Sequence, residues 1–77
     1  MSTQDETRWA KWLRDDGSVV SCVEKVKVMN ENLDEISQML QDAFEDGLLM
    51  EVNETQLRQV MQQMVEKLVN PWPKGKA

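Results

Sequence analysis

Cys22 is the one side chain in this sequence with the makings of a nucleophile. A reactive thiol needs a base or a cation beside it to draw it toward thiolate. The usual base is missing, because the 77 residues contain no histidine. Cys22 also falls on an apolar stripe, where a small buried hydrophobe is the expected role. Fourteen acidic residues are the other chemical resource. Carboxylates hold paired metals in helical bundles together with Glu-x-x-His pairs, which a histidine-free chain cannot supply. Glu35, Asp42, Glu45 and Asp46 lie off the stripe and read as a solvated face, since charges are rarely buried without a partner. Acid–base work near neutral pH would need a strongly perturbed Glu or Lys, and no pattern marks one. Gly17, Gly47 and Gly75 are isolated, so there is no Gly-rich phosphate loop. The expectation is a protein that is not an enzyme, with no catalytic residue, metal or cofactor.

Two binding chemistries can be weighed in the same way. Arg8-Trp9-Ala10-Lys11-Trp12-Leu13-Arg14 mixes basic and aromatic residues, as a helix lying on an anionic membrane would. Packing of both tryptophans into a core is the stronger reading, given the area each can bury. The net charge of −5 repels a phosphate backbone, whose binding needs clustered Lys and Arg, so nucleic acid is not expected as a partner. A membrane is not expected either. The longest apolar run is Leu48-Leu49-Met50, against roughly 20 residues for a spanning helix. Residues 1–7 lack the basic and apolar regions of a secretory signal, so a cytoplasmic setting with a reduced thiol is expected.

The elements that would position these groups read as all-α. Thr3 and Glu6 have capping-box spacing, and Trp9, Trp12 and Leu13 follow at helical spacing. Asp15-Asp16-Gly17 is a stop. A short first helix is therefore predicted from about Asp5 to Arg14. From residue 19 the apolar positions alternate three and four apart, which is a heptad seam. Val19, Val26, Leu33, Leu40 and Gly47 occupy one set of positions, and Cys22, Met29, Ile36, Ala43 and Met50 the other. Met39 and Phe44 widen the face. With Ser21 and Glu24 as a capping box, one helix is predicted from about Ser18 to Met50, about 45–50 Å long. An alternative remains open at its start. The β-branched Val19, Val20, Val23, Val26 and Val28 also suit a strand over 19–28, giving an α+β fold with Asn30 as a helix cap. Asp16-Gly17 would then permit a hairpin with residues around Trp12.

Asn53 and Gln56 open a third helix, with Leu57, Val60, Met61, Met64, Val65 and Leu68 on one stripe and an end near Val69 ahead of Pro71. The short link at 51–53 makes this helix the antiparallel neighbour of the long one. Residues 1–70 are thus expected as a single helical domain, with 71–77 as a tail in which Trp72 stands between two prolines.

A lone core in so short a chain is marginal, since only about 60% of the unfolded surface is buried on folding. One cysteine excludes an intrachain disulfide, and the lack of histidine disfavours a metal, which leaves oligomerisation as the supplement. Charge suggests its form. Lys25 and Lys27 stand near the start of the long helix and Asp42, Glu45 and Asp46 near its end, opposing the macrodipole. An antiparallel second copy relieves the conflict. Placing Leu33 against Ile36 sets Val26 against Ala43 and Lys25 near Asp46. The expected interface for a homodimer or another protein partner is Val19, Cys22, Val26, Met29, Leu33, Ile36, Leu40 and Ala43. The expected function is a non-enzymatic protein–protein interaction module, a small dimeric adaptor or regulator. A structural accessory subunit of an enzyme complex is the alternative, and a monomer whose seam receives the other two helices is the competing architecture.

Overall fold

The computed structural model describes residues 7–72. They form two helices, α1 (Val23–Leu49) and α2 (Glu54–Glu66), with no strand beyond an isolated bridge. The chain divides inside α1 into two units, Met1–Met39 and Leu40–Ala77.

In the first unit, the helix predicted from Asp5 to Arg14 is absent over its described part, residues 7–14. Its capping residues Thr3 and Glu6 lie outside the described residues. The segment instead turns back on itself around Asp15-Asp16-Gly17. The Arg14 amide donates to the Ser18 carbonyl at 2.8 Å, Gly17 to Arg14 at 2.9 Å and Val20 to Trp12 at 2.9 Å. Leu13 and Val19 form an antiparallel bridge. This is a three-residue hairpin loop whose last residue must be left-handed, and Gly17 supplies that at φ 89°. Asp16 Oδ1 locks the loop by accepting from the Ser18 amide at 2.9 Å and its hydroxyl at 2.6 Å. The helical spacing of Trp9, Trp12 and Leu13 misleads because a helix of ten residues has little stability of its own, so tertiary contacts choose its conformation.

The hairpin also moves the start of α1. It begins at Val23 and not near Ser18, because Val19 and Val20 belong to the hairpin. Cys22 is the entry residue, its carbonyl accepting from the Val26 amide at 3.0 Å. Of the alternative at the start of α1, the hairpin of Asp16-Gly17 with residues around Trp12 forms, but a strand over 19–28 does not, since Val23, Val26 and Val28 are helical. Asn30 is no cap: it lies inside α1 and is 3% exposed. The three–four periodicity outweighs β-propensity from Val23 onward.

In the second unit, α1 ends in a pattern of backbone bonds that needs no side chain. Val52 N–H donates to the Gly47 carbonyl at 2.9 Å and Glu51 N–H to Leu48 at 3.0 Å. This pair is the Schellman arrangement, with Glu51 in the left-handed position at φ 67° where glycine is commoner. Asn53 caps α2, its Oδ1 accepting from the Gln56 amide at 2.9 Å. The two helix segments form the hairpin expected from the short link. Gly47 permits a close approach: a Cβ there would sit 2.7 Å from Leu57 Cδ1. The Arg58 guanidinium lies over the Phe44 ring, 4.7 Å from its centroid, and pairs with Glu54 at 3.1 Å.

α2 stops at Glu66, short of the predicted Val69. Pro71 accounts for this, because a proline clashes with the carbonyl four residues earlier, here Lys67, which is the capping residue. Beyond it, Trp72 N–H donates to Asn70 Oδ1 at 2.9 Å, a local turn.

Candidate interaction surface

Several chemistry-bearing groups in the described residues, Asp34 and Asp16 among them, make hydrogen bonds that hold local structure. Among them, no group of three or more Cys, Asp or Glu side chains is placed to hold a metal. Cys22 is exposed, which corrects the expectation of a buried small hydrophobe. The cause is the late start of α1: Cys22 stands at the helix entry and not on a helical seam. Glu35, Asp42, Glu45 and Asp46 are exposed, with Glu45 accepting from Gln41 Nε2 at 2.7 Å.

The first unit contains a polar latch. Asp34 accepts from Arg8 Nη2 at 2.6 Å and from Trp9 Nε1 at 2.8 Å. The Arg8 hydrogen bond, then that of Trp9, hold the Asp34 carboxyl below the usual aspartate range. Asp16 is likewise lowered, by the Ser18 hydroxyl and amide in the hairpin loop. Trp12 Nε1 donates to Asn30 Oδ1 at 3.3 Å. Val26, Asn30 and Asp34 recur every four residues, so they share one face of α1. The residues around Trp12 thus lie along that face.

This explains what becomes of the tryptophans. Trp12 is half-buried and Trp9 exposed, so neither fills a core, yet both indole N–H groups have partners. The reading of residues 8–14 as a membrane-surface helix loses its helix. Asn30 and Asp34 were missed as anchors. Their signal was a polar pair four residues apart beside an apolar stripe, which a solvated face imitates.

The seam is divided by these contacts. Val26 is 5% exposed, the one buried apolar side chain among the described residues, and Leu33 is half-buried. Gly47 is buried, with Leu57 against it. The other expected interface residues stay open. Met29 is 37% exposed, Ile36 50% and Leu40 39%, while Val19, Cys22 and Ala43 are exposed too. Met39, beside the seam, is 70% exposed. On α2, Leu57 and Met61 are half-buried, whereas Val60, Met64 and Val65 are exposed. Exposed apolar side chains therefore lie along α1 in each unit, Met29 and Ile36 in the first and Leu40 and Ala43 in the second.

Among the described residues, no helix is long and apolar enough to cross a membrane. Comparison of the chain with family models, with curated proteins and with solved structures finds no match.

Proposed function

We propose that this protein is a non-enzymatic interaction module, a small dimeric adaptor or regulator that works through the open apolar side of α1. The observation that carries this reading is the exposure of Met29, Ile36 and Leu40 on a helix whose periodicity demands a covering surface. Burying an aliphatic side chain is worth about 1.5–3 kcal/mol. Leaving several in water on a 9.0 kDa chain is a cost that a partner would remove. The same absence of histidine that argues against catalysis argues against a metal-bound partner surface. The proposed setting is cytoplasmic, which suits the exposed free thiol of Cys22.

Sedimentation equilibrium over a micromolar concentration series tests the dimer. The expected mass is twice 9.0 kDa, with dissociation on dilution. A 9.0 kDa species at every concentration would sink the dimeric reading.

A further inference from the structure

Resting on the proposed dimer, we infer that the two copies meet through α2, packed antiparallel about a two-fold axis level with the Gln62–Gln63 bond. The open side of α1 then stays free to receive a different protein. Among its described residues the second unit has no buried apolar side chain. α2 is 13 residues long, and a helix that short is marginal without packing. The hairpin covers only part of its stripe: Leu57 lies against Gly47 and is half-buried, as is Met61. Val60, Met64, Val65 and Leu68 are exposed. At about 100° per residue the stripe spans about 140° of the helix, wide enough for two neighbours.

What names the second neighbour is that the stripe reads the same in both directions. Counted from the Gln62–Gln63 bond, Met61 mirrors Met64, Val60 mirrors Val65 and Leu57 mirrors Leu68. The positions between them follow, with Arg58 mirroring Lys67 and Gln59 mirroring Glu66. Leu68 keeps the last turn, its amide donating to the Val65 carbonyl at 3.2 Å. An antiparallel copy centred on that bond sets Met61 level with Met64 and Leu57 level with Leu68, twice each. Apolar positions thus meet apolar positions throughout, as a self-complementary two-fold interface requires. Val60 and Val65 lie on opposite flanks of the seam, and the two-fold closes each flank with the same valine from both copies. Arg58 is level with Lys67 of the other copy but across the seam from it, so like charges stay apart. Within its own chain Arg58 is already matched by Glu54 and the Phe44 ring. The dipoles favour the same sense, because antiparallel packing sets the positive start of one α2 beside the negative end of the other. An unrelated helix could cover the stripe without this symmetry, but only a second copy requires it.

Mass and disulfide trapping test the face, the sense and the register in turn. M64E, at an exposed position, should keep its circular dichroism and sediment at 9.0 kDa, while I36E stays dimeric. In a C22S background, a disulfide forms only when the two Cα atoms come within about 7 Å. A mixture of L57C and L68C should give a cross-linked dimer. Neither variant should do so alone, because each would lie eleven positions along the helix axis from its own copy, about 16 Å. A dimer that survives M64E would overturn α2 as the contact, and one that I36E dissolves in its place would move the contact to α1. Trapping of L57C alone would overturn the antiparallel sense. A helical, dimeric mixture with no cross-link would overturn the register. A 9.0 kDa mass for the unsubstituted protein at every concentration would instead remove the dimer on which the inference rests.

Discussion

In the unit up to Met39, the segment before α1 is attached by side chains that reach across long stretches of sequence. Arg8, Trp9 and Trp12 find Asp34 and Asn30 over separations of 26, 25 and 18 residues. In the unit from Leu40, order comes from neighbours. The Schellman bonds, the Asn53 cap and the Glu54–Arg58 pair all act within five residues, and the longer contacts are Leu57 against Gly47 and the Arg58 guanidinium over the Phe44 ring. The first kind of attachment depends on charge and donor geometry, so pH and single polar substitutions act on it. The second depends on backbone shape and space, so volume and caps act on it. Exposed ion pairs are worth little, so the first unit is expected to open more readily than the second.

The largest effect should come from filling the space beside Leu57. Gly47→Val puts a branched side chain where even a Cβ meets Leu57 at 2.7 and 2.9 Å. Overpacking of this kind costs about 1–3 kcal/mol. A urea titration followed by circular dichroism should show the loss, and Leu57→Ala added to it should restore part. No loss would mean that the close approach of the two helices contributes nothing to the second unit.

A smaller loss, about 1 kcal/mol, is expected for Asn53→Ala, which deletes the acceptor for the Gln56 amide. Amide exchange at the start of α2 should quicken while that of Arg14 and Val20 stays unchanged. Equal quickening in both units would break the comparison, because it would show them opening together.

The smallest effect, confined to the first unit, is expected for Asp34→Asn and for mild acid. The substitution removes the charge that Arg8 pairs with. For acid, the sign follows from the lowered Asp34 and Asp16 values. Their contribution is complete above the unfolded aspartate value of about 3.9 and is lost as pH falls through the lower folded values. As pH falls below about 4 and on through the lower folded value of Asp34, the indole N–H resonance of Trp9 should move toward that of free tryptophan. If it keeps its position after the Asp34 carboxyl has titrated, the latch does not depend on the ionised carboxylate.

How much was legible in the sequence follows the same division. The Asn53 cap, the stripe of α2, the hairpin link and the run of α1 from Val23 onward are written in residues three and four apart, where helix geometry makes them neighbours. Gly17 marked its turn because only glycine accepts that backbone freely. The end of α2 was misplaced by three residues, although Pro71 already held the reason, its clash reaching back to Lys67.

The sequence by itself therefore determined two helices, their link and a three–four apolar pattern, because these depend on interactions inside one turn or one cap. Only the tertiary structure decided that residues 12–20 would form the hairpin that Asp16-Gly17 left open rather than continue as helix. Trp9 and Trp12 suit a helical face equally well until Asp34 and Asn30 are placed beside them. It also decided how the seam is shared, covering Val26 and Gly47 and leaving Met29, Ile36 and Leu40 in water. Periodicity fixes that a face is apolar, but which surface covers each part of it depends on contacts between residues far apart in the chain.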